Sequence, residues 1–208
     1  MLVVGLKQTS SERYRVCFED GTEIKSTLSA VAEMRVSVGR ELDEEALERF
    51  RVLSERSLTL ERSIELLSLR QMSAKELSDK LIRKGIDRET AEYCCGKLKT
   101  MGLLDEAHYA SALARHYSSR GYGAGRVRAE LSRRGIDRDL WEDALNSMPE
   151  DHSRLDKIVR TKLTDPSDRE QIRKVTAALS RRGYSWGEIR SALERVSEEI
   201  EITEPEEP

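Results

Sequence analysis

No stretch of this sequence approaches the roughly 18 consecutive apolar residues of a membrane span. The opening MLVVGLKQTSSER also lacks a basic region followed by a long apolar run, so a cytoplasmic protein with no membrane partner is expected. Cysteine is scarce. Cys17, Cys94 and Cys95 are odd in number, and two are adjacent in what reads as a helix, where neighbouring side chains diverge, which argues against a disulfide framework. The three histidines, His108, His116 and His152, make no zinc-ligand spacing with these thiols, so no metal or other cofactor is expected. Catalytic equipment is missing as well. There is no Walker A run, and Gly121-Tyr122-Gly123-Ala124-Gly125 is too short for a dinucleotide site and has no strand before it. That glycine run reads as a flexible loop, and with no convincing nucleophile–base or carboxylate pair the chain does not read as an enzyme.

What the sequence does have is charge: 36% charged against 38% hydrophobic residues over 208 positions. Such a profile builds a core from thin apolar stripes on charged elements, which favours amphipathic helices. The formal net charge of -3 hides an uneven distribution. Residues 57–196 carry 27 Lys+Arg against 22 Asp+Glu, whereas the final SEEIEITEPEEP holds six Glu and no basic residue. Residues 199–208 are therefore expected to be a disordered acidic tail.

The first 56 residues differ in kind from the rest. Alternation in RYRVCF places Tyr14, Val16 and Phe18 on one face of a strand. Asp20-Gly21 signals a hairpin, TEIKST returns, and LVVGLKQ supplies a third strand, giving a small antiparallel sheet. Residues 28–40 fit either a short helix or a strand, Asp43 caps a helix through Ala46, Leu47, Phe50 and Leu53, and Ser54-Glu-Arg-Ser57 reads as a linker.

Beyond residue 57 one pattern recurs three times: Leu81-Ile-Arg-Lys-Gly85-Ile-Asp87, Leu131-Ser-Arg-Arg-Gly135-Ile-Asp137 and Leu179-Ser-Arg-Arg-Gly183-Tyr-Ser185. In each, two cations end a helix, Gly takes the left-handed turn, an apolar residue follows, and Asp or Ser caps the next helix. The alignment extends to Leu77, Val127 and Val175 before the glycine and to Ala91, Trp141 and Ile189 after it, then Cys95, Leu145 and Leu193. A preceding helix completes each unit: Ile64, Leu67 and Leu69 in the first, Tyr109, Leu113 and Tyr117 in the second, Leu155, Ile158, Val159 and Leu163 in the third. The expected architecture is mainly α, a tandem, elongated and curved array of three three-helix repeats (57–102, 103–149 and 150–198) behind the β-rich extension.

The candidate contact residues are the recurring cations Arg83 and Lys84, Arg133 and Arg134, Arg181 and Arg182, with Arg120, Arg126 and Arg128 adding to repeat two near Tyr117 and Tyr122. Stacked repeats would align them into a ladder able to follow a phosphate backbone. Helix dipoles alone also favour cations at these positions, and acidic protein partners would fit them equally.

The residues that carry the repeats resemble a known family, the RecX regulators of the RecA recombinase. Ile64-Glu-Leu-Leu-Ser-Leu-Arg70 with Ser73-Ala-Lys-Glu-Leu-Ser-Asp-Lys-Leu-Ile-Arg-Lys-Gly85 is similar to the family's opening repeat. Gly102-Leu-Leu-Asp-Glu-Ala-His-Tyr-Ala110, continuing through Arg120 to Arg126-Val-Arg-Ala-Glu-Leu-Ser-Arg-Arg-Gly-Ile136, is similar to its most characteristic stretch, although His108-Tyr109 stands where Arg-Phe is more usual. The resemblance implies a non-enzymatic, monomeric protein that lies along the groove of the RecA filament on single-stranded DNA, touches single- or double-stranded DNA itself, and inhibits strand exchange and coprotease function. It marks Arg120, Arg126, Arg128, Arg133 and Arg134 as contact candidates. The alternative is a helix-turn-helix DNA-binding protein acting without RecA, but Arg88-Glu-Thr-Ala and Arg138-Asp-Leu-Trp do not look like the start of a base-reading helix.

Overall fold

A computed structural model describes residues 1–149 and 152–203. The chain divides into two compact units, Met1–Asp105 and Glu106–Pro208.

The first unit opens with a three-stranded antiparallel sheet in the order β1 (Val3–Gln8), β2 (Arg13–Phe18), β3 (Glu23–Thr27). The Asp-Gly hairpin forms as expected: Gly21 has φ +84°, and the Asp20 carboxylate accepts the Thr22 amide at 2.9 Å. Val16 and Phe18 turn inward onto Val3, Val31, Leu42 and Phe50, with half-buried Tyr14 packed against them. The ambiguous stretch 28–40 resolves into a short helix, α1 (Leu28–Glu33), capped by the Thr27 hydroxyl, followed by irregular backbone.

Asp43 caps the next helix as expected, accepting the Ala46 amide at 2.7 Å. That helix, α2 (Glu44–Leu69), corrects the expected linker because it runs unbroken through Ser54–Ser57 and across the 56/57 boundary. Small side chains let other elements approach it closely there. Ser54 and Ser26 of β3 are both buried, with their hydroxyls 2.8 Å apart, and Ser57 accepts from Thr27 at 2.9 Å. Within the same turn, Arg56 pairs with Glu89 at 2.7 Å and lies 4.3 Å from the centre of the Tyr93 ring. A stretch polar enough to look like a linker is thus where the sheet and the first repeat share one helix.

That repeat consists of the second half of α2 with α3 (Ala74–Ile82) and α4 (Arg88–Thr100). Its core is Leu66, Leu77, Leu81, Ala91, Cys95 and Leu98. Two expected core residues are exposed, Ile64 at 38% and Leu69 at 81%. The inward stripe of α2 instead runs through Thr59, Ser63 and Leu66, with the Ser63 hydroxyl returned to the Thr59 carbonyl at 2.7 Å. α3 starts with a capping box in which Ser73 and Glu76 satisfy each other's backbone amides.

The second unit holds α5 (Glu106–Ser119), α6 (Ala124–Arg133), a 3₁₀ turn (Arg138–Leu140) and α7 (Trp141–Asn146), then α8 (Ser153–Lys162), α9 (Arg169–Arg181) and α10 (Trp186–Thr203). Tyr109, Leu113, Val127 and Leu131 form one core; Leu155, Val159, Leu163, Val175, Leu179 and Ile189 form the other. The three joint glycines are all left-handed, Gly85 at φ +88°, Gly135 at +68° and Gly183 at +87°. Asp87 caps α4 by accepting the Thr90 amide at 2.9 Å, and Ser185 forms a capping box with Glu188. Asp137 does not cap. The 3₁₀ turn intervenes, and half-buried Trp141 reaches back to donate to the Ile136 carbonyl at 3.0 Å. The expected disordered tail is corrected in part: α10 continues to Thr203, and Glu199 holds Arg160 of α8 at 2.9 Å. Residues 204–208 of that tail lie outside the described residues.

Candidate nucleic-acid interface

The three basic pairs occupy equivalent joints yet meet different surroundings. In repeat one, Arg83 and Lys84 are both exposed, and Arg83 donates to a carbonyl of its own helix, that of Asp79, at 3.1 Å. They stand clear at the end of α3, as helix-end cations favoured by the dipole do.

In repeat two the pair closes on a carboxylate that sequence reasoning passed over. Glu130 is buried, with 6% exposure, and lies one turn before the pair on α6. Arg133 donates to it at 3.1 and 2.7 Å, Arg134 approaches to 3.5 Å, and Arg126 comes from the preceding turn to 3.6 Å. Arg134 also donates to the Tyr109 hydroxyl. Burial pushes the Glu130 carboxyl up, but hydrogen bonds from Arg133 and Tyr117 and the charges of Arg133 and Arg134 outweigh it, holding the group below the ordinary carboxylate range. Three arginines around one carboxylate leave a net positive surface. Arg133 and Arg126 present it, with 65% and 48% of their side chains exposed, whereas Arg134, at 16%, is mostly committed inward. Arg128 is exposed on the same helix. The signal available in the sequence was the helical spacing of Arg126, Glu130, Arg133 and Arg134, which puts all four on one face.

In repeat three the pair divides. Arg181 is exposed. Arg182 reaches back to repeat two and donates to the Gly121 carbonyl at 3.2 Å, while Arg154 of α8 grips the neighbouring Ser119 carbonyl. Arg182 and Arg126 both lie against the Tyr122 ring, 5.5 and 5.9 Å from its centre. The glycine run beside this ring joins α5 to α6 as expected, but it is not the loose loop expected, because its backbone is hydrogen-bonded to the joint of repeat three. The Gly123 amide donates to the Arg182 carbonyl at 3.0 Å, and the Gly125 amide to the Gly183 carbonyl at 2.9 Å. A Cβ on Gly123 would stand 2.5 Å from the Gly183 oxygen, and one on Gly183 would stand 2.2 Å from the Arg126 nitrogen. The run is glycine because two backbones touch.

The two adjacent thiols serve packing. Cys94 and Cys95 are buried and point to different carbonyls, those of Arg56 and Ala74. Burial pushes the Cys94 thiol up to about 11, far from a reactive thiolate. Among the described residues no group of three or more His, Cys, Asp or Glu could hold a metal ion, and no helix is long and apolar enough to cross a membrane.

The three repeats match three models of known domains in order: the first three-helix domain of RecX over residues 60–98, the second over 105–145 and the third over 150–193. The regulatory protein RecX of Stenotrophomonas maltophilia strain R551-3 is 37% identical over 136 residues, covering 64% of this chain and 83% of that protein. The chain belongs to the RecX family. The regulatory protein RecX of Xanthomonas campestris pv. campestris strain B100 is 36% identical over the same length, covering 84% of that protein. A crystal structure of a regulatory protein RecX shares the fold with a TM-score of 0.76 at 21% identity, covering 95% of this chain and 98% of that one. The crystal structure of RecX from Lactobacillus salivarius has a TM-score of 0.60 at 23% identity and covers 69% of this chain. The fold expectation is thus met: a mainly helical RecX protein with three three-helix domains and a small antiparallel sheet before them.

Proposed function

We propose that this RecX-family protein restrains the RecA recombinase by lying along the groove of the RecA–single-stranded DNA filament, where it blocks strand exchange, ATP hydrolysis and coprotease activity without catalysis of its own. The observation that carries this reading is the match of all three repeats, in order, to the domains of a regulatory family. The cationic joints support it physically, since a repeating filament with an acidic backbone suits a repeat protein with a cation pair at each joint. Arg83, Lys84, Arg120, Arg126, Arg128, Arg133 and Arg181 are the proposed contacts, being exposed. Arg134 and Arg182 serve mainly to hold the scaffold on which those contacts stand.

The test is RecA-catalysed ATP hydrolysis on single-stranded DNA, with this protein titrated from well below to equal the RecA concentration. Inhibition at substoichiometric amounts is the expected result. No effect at equal concentration would overturn the reading and favour a DNA-binding protein that acts without RecA. Arg128→Glu with Arg181→Glu should weaken inhibition while leaving the thermal transition unmoved, because neither side chain supports the core.

A further inference from the structure

The Arg182 contact with repeat two also shapes a cleft. About 310 Å³ in volume, it is lined by Arg120, Arg154, Lys157, Ile158, Lys162 and Arg182, with Gly121 and Thr161 completing the wall. Five of these side chains are cationic and no carboxylate lines the space. The composition follows from how α8 is split lengthwise. Asp156 and Arg160 face α10, where they pair with Arg195 at 2.6 Å and with Glu199. Arg154, Lys157, Ile158 and Thr161, spaced at i, i+3, i+4 and i+7, share the opposite stripe. The acids of this region are thereby spent on one face and the cations collect on the other. Arg154 is anchored on the Ser119 carbonyl that ends α5 and Arg182 on the Gly121 carbonyl just beyond it, whereas Lys157 and Lys162 are exposed.

We infer that this cleft is a phosphate clamp for single-stranded nucleic acid. Anchored guanidiniums fix the geometry, the exposed lysines supply mobile charge, and Ile158 offers an apolar floor on which a sugar can rest. Inward convergence suits a strand that can bend its phosphates into a recess better than a duplex, whose phosphates lie on a convex cylinder. The cations read phosphate oxygens and no base edge, so binding is independent of sequence. The assignment deepens the proposed function, resting on it for nucleic acid as the source of phosphate; the same oxygens could come from free nucleotides or pyrophosphate.

The experiment uses the full chain without RecA, measuring fluorescence anisotropy of a labelled oligothymidylate of about 12 nucleotides across a salt series. Lys157→Gln/Lys162→Gln should weaken binding about tenfold and lower the slope of log affinity against log salt by about 1.4, from roughly 0.7 per lost single-strand phosphate contact. The charge-matched control Lys7→Gln/Lys97→Gln, in the first unit, should leave both unchanged. Wild-type failure to bind, or equal weakening by both variants, would overturn the clamp. Displacement of the strand by micromolar pyrophosphate or ATP would overturn nucleic acid as the source. Coincident thermal transitions exclude misfolding. If the cleft variant loses oligonucleotide binding yet still inhibits RecA at the wild-type level, the regulatory reading stands and the clamp does not serve it.

Discussion

Repeat one and repeat three use the same joint, two cations and a left-handed glycine, yet one glycine faces open space and the other is pressed against a backbone. A Cβ on Gly85 would meet nothing within 4 Å, while one on Gly183 would strike Arg126. A recurring local motif can therefore be a turn and nothing more in one place and an inter-repeat contact in another. The basic pairs teach the same lesson. Five residues before the joint glycine stand Lys80, Glu130 and Ala178. Only the middle repeat has an acid there, and only there do the cations close on a buried carboxylate.

The largest effect should come from breaking that comparison at its sharpest point. Gly183→Ala combines a left-handed backbone cost of about 1–2 kcal/mol with overpacking of about 1–3 kcal/mol. It should lower unfolding free energy by roughly 3 kcal/mol, whereas Gly85→Ala should cost only the first part. Equal losses in denaturant unfolding would mean that the repeat joints are alike after all.

Glu130→Ala leaves three arginines around an apolar gap and should cost about 2 kcal/mol, while Ala178→Glu should confer nothing comparable, because no second pair converges on repeat three. The pH dependence has a definite sign. Glu130 titrates lower in the folded protein than unfolded, so its contribution is complete above the ordinary carboxylate range and fades as pH falls through the folded value. The stability gap between wild type and Glu130→Gln should be level at neutral pH and close on acidification. A gap that widens in acid would refute the assignment.

Trp141→Ala should cost about 2 kcal/mol, less than the 3–5 kcal/mol of a fully buried aromatic, since the indole is half-buried and holds one carbonyl. The smallest effect is at the polar joint of the first unit, where Ser54→Ala removes one buried hydroxyl pair and should cost about 1 kcal/mol. Thermal unfolding of the two variants measures both.

Much of the fold was legible because its causes are local. Alternation in Arg13–Phe18, the Asp20-Gly21 turn, the caps at Asp43, Asp87 and Ser185 and the left-handed glycines each depend on neighbours within a few residues. The misreadings share an opposite cause. Ser54–Ser57 looked like a linker and Gly121–Gly125 like a loose loop because small and polar residues resemble solvent-exposed ones when their partners are unknown. Ser26, Thr27 and Gly183 are those partners, and they lie at least 27 residues away in the chain.

The candidate site divides along the same line. The sequence by itself determined that three cation pairs would sit at three helix ends, because dipole and glycine geometry operate within a single turn. It also determined the helical repeat and the inward residues Leu77, Val127 and Val175, since 3.6-residue periodicity is intrinsic to the backbone. Only the tertiary structure decided which cations remain outside: Arg134 turns inward to Tyr109 and Glu130, and Arg182 crosses to repeat two. It alone gathered Arg154, Lys157 and Lys162 beside Arg120 and Arg182. The reason is that a long side chain's direction is settled by which carboxylate or carbonyl comes within a few ångströms, and that depends on packing between segments far apart in sequence.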